Sequence, residues 1–310
     1  MNQPSLKKPS VNYSKFAVLS CVHPEIQHPE LSIQHFSLHP SSFIPHSSPM
    51  PRLSLVTFNI AHGRGLSLYQ GFQSARGIET NLARIGQLLA ESGADVVALQ
   101  EVDEDSHWNK RINLLQALRR EAGLSHACLG VNNRRLGLKP LAYGNALLSR
   151  HPVRLWENNP FGAAMLGEKG FLYCEVDVGG HALPIINLHL DYRSRQRRIK
   201  QIEQVIEYMR SRPHPDCPKG RPLAPIICGD FNTHSRRVGD AVRHLFTALL
   251  QHGEYEIWPH PKAKTFPAHL PSRGLDFILL PKPYRAVRCE VLKSYLSDHR
   301  PVLVELEFEG

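Results

Sequence analysis

The sequence predicts an α/β fold built from two packed sheets with helices on the outside, formed as one domain from about residue 50 onward. Three observations predict it. Apolar runs of strand length recur along the chain, and most of them end in a polar side chain. Stripes of apolar residues at helical spacing fall between several of these runs. Two of the runs are joined only by Gly179-Gly180, which is hairpin chemistry, so the sheets are not purely parallel.

Residues 1–49 stand apart from this pattern. They hold 7 prolines, 5 histidines and 10 serines, with no period sustained long enough to bury a face, and disorder is the expectation. Residues 15–21 have the flavour of an export signal, but the apolar part is too short for one. Met50, where the patterned sequence begins, is an alternative start that would leave the segment untranslated. The formal net charge of +9 points to an anionic partner or to a solvated basic surface. The six cysteines, at 21, 128, 174, 217, 228 and 289, form no CxxC pair, which fits reduced, buried thiols and a cytoplasmic setting rather than a zinc site or a disulfide scaffold. No apolar run reaches the ~20 residues a membrane helix needs. A monomer is expected.

From residue 53 the elements can be taken in order. Residues 53–59 form a buried-strand run closing on Asn59, followed by the loop His62-Gly63-Arg64-Gly65, whose two glycines are too few for a phosphate-binding fingerprint. Ile78, Leu82, Ile85, Leu88 and Leu89 mark a helix that stops near Gly93. The next strand, 95–101, ends in Glu101; a carboxylate there is costly unless it is solvated or bound to a partner such as a metal. A second helix is expected over 108–122, then a strand over 143–149 with Asn145 inside it. Strands 171–178 and 183–190 make the hairpin, and the second carries His189 and leads to Asp191. Five cations lie within residues 193–200 at the start of a third helix, where they oppose the helix dipole; an anionic ligand or a solvated face explains them equally well. Residues 224–228 form a short buried strand, and Gly229 lets the chain turn so that Asp230 and Asn232 emerge at its end. A helix over 238–251, a strand over 275–280 with Asp276 near its start, and a last strand from Val302 to Phe308 preceded by Asp298-His299 complete the chain.

Asn59, Glu101, Asn145, His189, Asp230 with Asn232, and Asp298 with His299 therefore occupy strand ends or neighbouring positions, and Asp276 is a seventh, partly buried site. Singly, each reads as a turn, a cap or a satisfied core residue. Together they are the parts for metal-assisted phosphoryl chemistry: hard oxygen ligands, amides for phosphate oxygens, histidines for charge, and an acid to orient a histidine.

The ordered motifs TFNI (57–60), LQEV (99–102), GNALLSR (144–150), INLHLD (186–191), GDFNT (229–233), LDFILL (275–280) and SDHRPV (297–302) resemble the endonuclease/exonuclease/phosphatase superfamily, over about residues 53–308. The resemblance implies a four-layer α/β sandwich of two mostly antiparallel sheets, the DNase I-like fold. It implies a Mg2+-dependent phosphodiester hydrolase, nuclease-like, with Mn2+ as the alternative ion and a nucleic acid or an anionic headgroup as the phosphate-ester substrate. Glu101 would be the main metal ligand, helped by Asn59 and Asp298. Asp230 would orient or deprotonate the attacking water, and Asn145 and Asn232 would hold phosphate oxygens. His299, aligned by Asp276, would stabilise transition-state charge, with His189 as a second histidine. A phospholipid phosphodiesterase, an inositol-phosphate phosphatase and a catalytically retired binding protein are the alternatives. The forms of INLHLD and GNALLSR count against an abasic-site repair enzyme, and Ser235-Arg236-Arg237 only hints at the phosphate clamp of an inositol phosphatase.

Overall fold

Two sheets of six strands, each with the same internal plan, organise the computed structural model, which describes residues 52–162, 167–212, 223–233, 240–249, 255–260 and 262–308. The sequence expectations for residues 1–49, for the signal-like stretch within them and for Ser235-Arg236-Arg237 lie outside the described residues.

In the first sheet β1 (Leu53–Asn59) runs parallel to β2 (Val96–Asp103), and the helix α1 (Ala75–Glu91) joins them. β3 (His126–Arg135) and β4 (Leu141–Ser149) continue the sheet on the β2 side as an antiparallel hairpin. In the second sheet β5 (Val153–Pro160), β6 (Gly170–Val178) and β7 (His181–His189) form an antiparallel meander. β7 then runs parallel to β8 (Ile226–Asp230), with α3 (Arg195–Ser211) between them, and β9 (Tyr255–Trp258) and β10 (Asp276–Pro281) extend the β8 side. The final hairpin, β11 (Tyr284–Val291) and β12 (Val302–Phe308), returns to the first sheet and lays β12 antiparallel to β1. The orders are β11-β12-β1-β2-β4-β3 and β5-β6-β7-β8-β10-β9, so each sheet has one parallel pair at its centre and antiparallel strands on both sides.

Burial shows why the two sheets and the four α-helices among the described residues, including α2 (Leu114–Glu121) and α4 (Ala241–Leu249), make four layers. Alternation along each central strand sends one set of side chains inward and the other outward. Leu55, Val96, Ala98 and Leu147 meet Cys174, Ile185, Cys228 and Ile278 between the sheets. Val56, Phe58 and Leu99 face Ile78, Leu82 and Ile85 of α1 and Leu118 of α2. Ile186, Leu188 and Ile227 face Ile202 and Val205 of α3 and Leu245 of α4. The fold class read from the sequence is the fold observed.

Local differences have local causes. The expected helix over 108–122 begins instead at Leu114, because Lys110 and Arg111 take left-handed backbone (φ 57° and 63°) and Asn113 caps the helix by accepting the Gln116 N–H. Arg198, one of the five cations at the start of α3, is buried and pairs with Asp240 while donating to the Asp191 carbonyl, so it serves the fold. Arg193 lies over the Tyr192 ring, 4.9 Å from its centre, and Arg197 faces Asp191. Among the described residues no helix is long and apolar enough to cross a membrane.

Candidate active site

The two parallel pairs end side by side. Asn59 of β1 is in register with Gln100 of β2, and His189 of β7 with Asp230 of β8. Beneath these ends the sheets are bolted by buried amides. Gln100 donates to Asn187 Oδ1 (2.7 Å) and Thr57 Oγ1 (3.1 Å), and Asn187 donates to the carbonyls of Leu99 and Ala146 (2.9 Å each). Asn145 donates to the carbonyls of Gly170 and Asn187 (2.8 and 3.1 Å), so its amide hydrogens tie β4 to the second sheet rather than point to the surface.

Above that floor, acids and imidazoles alternate in one line. Asp276 receives His299 Nδ1 at 3.0 Å, and His299 Nε2 stands 3.7 Å from Asp230. His189 Nε2 lies 3.4 Å from Asp230 and 4.0 Å from Glu101. Glu101 then faces His62 Nε2 at 3.5 Å, and His62 Nδ1 lies 2.7 Å from Asp103. Asp230, Asp276, His189, His299, His62 and Asp103 are all buried, while the Glu101 side chain is about one-fifth exposed and forms the opening.

The backbone is bent to present these groups. The register of β2 against β4 shifts between Leu99 and Val102, and at this bulge Glu101 adopts φ 57°. Asn232 has φ 49°, and its N–H closes on Asp230 Oδ1 at 2.9 Å. Left-handed backbone at non-glycine residues costs free energy, and here it occurs at two of the expected site residues. Gly229 (φ 138°) passes so close to β7 that a Cβ would collide with the Leu188 carbonyl, which is why the strand carrying Asp230 needs glycine there.

Electrostatics separate the two central carboxyls. Burial alone would raise the Glu101 pKa, but Lys169 and then His62 outweigh it and hold the carboxyl well below the usual range. Asp230 moves the other way: burial raises its pKa and Asp276 adds to this, against opposition from His299 and the Asn59 and Asn232 hydrogen bonds. Burial works against a proton on His299, yet Asp276 and Asp230 more than reverse it, so the imidazole is held charged. His189 is pushed well below its ordinary value by burial and by Lys169, so it is neutral. One carboxylate is thus kept ionised and one is poised to take a proton.

The structure gathers the expected residues at one place, with particulars the sequence does not reveal. Asn59 donates Nδ2–H to Asp230 Oδ2 (3.0 Å), and its oxygen accepts the Ala61 N–H. Asn232 donates to the Leu190 carbonyl at 3.0 Å and lies 3.2 Å from His189 Nε2. Asp298 is paired with Arg64. Four contributors escape motif reading: Lys169, which donates to Glu101 Oε1 (3.2 Å) and lies 3.4 Å from His189 Nδ1, Arg64, His62 and Asp103. Only the position of Asp103 two residues past Glu101, and of His62 three past Asn59, offered a signal.

The oxygen set fits a hard divalent cation. Glu101 is ionised, stands at the opening on a strained bulge, and has one oxygen, Oε2, that receives no hydrogen bond among the described residues. Asp230, Asp276 and His299 also bring ligand-type atoms within 4.8 Å of one another, although the Nδ1 of His299 is engaged by Asp276.

Comparison with known proteins bears on the fold and the family. The Escherichia coli K12 protein YbhP, described as uncharacterized, is 28% identical over 175 residues, 53% of this chain and 62% of that protein, so the chain spans less than two thirds of the length of the curated relatives it matches. A solved endonuclease/exonuclease/phosphatase family protein from Bacteroides thetaiotaomicron has a TM-score of 0.63 at 16% identity, covering 85% of this chain and 100% of its own. A mannosyl-6-phosphatase from Bacteroides thetaiotaomicron VPI-5482 has a TM-score of 0.61 at 17% identity, covering 83% and 100%. At such identities the likeness is one of fold. The model of the Endonuclease/Exonuclease/phosphatase family matches residues 56–299, which span the site residues from Asn59 to His299, and the chain belongs to that family.

Proposed function

We propose that the protein is a divalent-cation-dependent phosphodiesterase, nuclease-like, in which Asp230 takes the proton of the attacking water. The observation that carries this reading is the unbroken line of acids and imidazoles at the ends of the two parallel strand pairs. Asp230 has the raised proton affinity a general base needs at neutral pH, and Asn59 and Asn232 fix its orientation. His299, kept charged by Asp276, and Lys169 lie where negative charge on a phosphoryl group would grow. Removing one such stabiliser typically costs about 10²–10³ in rate. Asn232 and neutral His189 line the same space as hydrogen-bonding groups, and Asn145 acts beneath it by holding Gly170, next to Lys169. Glu101 and Asp298 would hold Mg2+ or Mn2+, with Asn59 contributing through its remaining lone pair. When bound, the ion supplies Lewis-acid charge to phosphate oxygens.

A nucleic acid is the favoured substrate because of a groove of about 910 Å³ beside Arg64, the partner of Asp298. Arg76, Arg84 and Lys293 line it, and Tyr295 offers an aromatic face. Several cations in a row suit a substrate with phosphates on either side of the scissile one. The test is hydrolysis of plasmid DNA, single-stranded RNA, a phosphocholine lipid, an inositol phosphate and a hexose 6-phosphate, with chelator and Asp230→Asn controls. Nicking lost in both controls, and weakened by Arg76→Glu with Arg84→Glu, is the expected result. Turnover confined to a small ester and indifferent to the groove charges would replace the nuclease reading with a phosphatase.

A further inference from the structure

We propose that His62 is a direct ligand of the catalytic cation, sharing it with Glu101, so that the centre offers nitrogen as well as oxygen. The inference rests on the reading of Glu101 as the principal carboxylate ligand.

His62 is held in a way that leaves one atom free. Its Nδ1 lies 2.7 Å from Asp103 Oδ2, and Asp103 is itself fixed by Trp108 Nε1 (2.9 Å) and Asn109 Nδ2 (2.7 Å). Asn109 also donates to the His62 carbonyl at 2.9 Å. The rings of Trp108 and Tyr143 meet the imidazole edge-on, with centroids 5.2 and 5.0 Å away. The residue adopts φ 55°, so the local backbone is strained to place it. All this restraint aims Nε2 at Glu101 Oε2.

The separation of those two atoms, 3.5 Å, is the informative quantity. A charge-assisted hydrogen bond between imidazole and carboxylate would close to about 2.7–2.9 Å, as the other nitrogen of the same ring does with Asp103. Two donor atoms that each lie about 2.1 Å from one ion stand roughly 3.0–3.4 Å apart at octahedral to tetrahedral angles. At 3.5 Å the two atoms stand just outside that range and well beyond hydrogen-bond closure, so a small inward movement would make them two ligands of one ion. No hydrogen bond among the described residues ends on Nε2, whereas a histidine placed only for packing satisfies both ring nitrogens. A carboxylate on the far nitrogen is also how metal-bound histidines are oriented and made more basic.

Glu101 is divided to match. Lys169 donates to Oε1 at 3.2 Å, and His189 approaches that same oxygen at 4.0 Å, so the Oε2 side is left to His62. Imidazole favours borderline ions such as Co2+ and Zn2+, and Mn2+ accepts it more readily than Mg2+, which takes oxygen ligands and keeps its waters, so the centre should prefer these three ions over Mg2+.

The test uses Mn2+ bound to the full chain, read by electron spin-echo envelope modulation. Nitrogen modulation is expected in the wild type and in His189→Gln, and should vanish in His62→Gln, with Mn2+ affinity falling about 10-fold or more and Mg2+ affinity changing much less by calorimetry. Bound Mn2+ without nitrogen modulation in the wild type overturns the inference and leaves the hydrolase reading intact, as does modulation that survives in His62→Gln or vanishes in His189→Gln. If His62→Gln does not fold, the wild-type and His189→Gln spectra decide alone. Failure of the wild type to bind Mn2+ at all would remove the metal reading and this one with it.

Discussion

Asn59, at the end of β1 in one sheet, donates its amide hydrogen to Asp230 Oδ2, at the end of β8 in the other, across 3.0 Å. This bond supports the ionised form of the buried carboxyl, the form in which the proposed mechanism uses it. Replacing Asn59 by Asp puts two carboxyls at that distance, and they must share a proton. The folded state then binds more protons than the unfolded chain near neutrality, so stability falls as pH rises. Thermal melts of Asn59→Asp should lose Tm between about pH 5 and 8 more steeply than the wild type. Parallel slopes would show that the two side chains are not in contact in solution.

His299 makes a prediction of its own in chelator. Burial opposes its charge, yet Asp276 and Asp230 raise its pKa from 6.5 to about 10. A folded value above the unfolded one contributes stability that is full below about pH 6.5 and is lost as pH rises through about 10. Asp230, whose pKa is also raised, adds a slope of the same sign. Melts of the wild type should therefore fall from about pH 6 to pH 10, and His299→Gln should flatten the decline. A Tm rising over that interval would contradict the charged state assigned to the imidazole.

Glu101 separates chemistry from backbone. Both Glu101→Ala and Glu101→Gly remove the carboxylate and leave Lys169 without that partner, so both should abolish turnover. Only glycine relieves the left-handed backbone at φ 57°. Glu101→Gly should thus be more stable than Glu101→Ala by about 1 kcal/mol in denaturant titrations. Equal stabilities would mean that the bulge relaxes in the variants.

Gly229 should tolerate no side chain. Its φ of 138° and its approach to the Leu188 carbonyl make Gly229→Ala destabilising by about 2–4 kcal/mol, measured by urea unfolding. A nearly silent substitution would show that β7 and β8 are less tightly joined than described.

The sequence made the centre of the molecule legible and left its margins hidden. The eight strands anticipated from apolar runs include every strand that carries a site residue. The four not anticipated, β3, β5, β9 and β11, are the four sheet edges. Edge strands carry charges that discourage further pairing: β11 presents Arg285, Arg288 and Glu290, and β5 presents Arg154 and Glu157. Those charges break up the apolar runs by which buried strands are recognised. The site divides in the same manner. Residues inside motifs could be named, whereas Lys169 lies just before β6 outside any motif and His62 lies in what reads as a glycine-bearing turn, so three-dimensional proximity shows their part.

The return of the last hairpin to the first sheet bears on how the molecule is made. During synthesis β1 emerges before every other described strand, yet its neighbour on one side, β12, emerges after all of them. Until then β1 is an open edge, and it is shielded only when residues 302–306 arrive to pair with it. Asp298 and His299 ride on the same late segment. On the proposed reading, a nascent or truncated chain can therefore carry most of its sandwich and remain inert, because the closing of the sheet and the placing of Asp298 and His299 are one event.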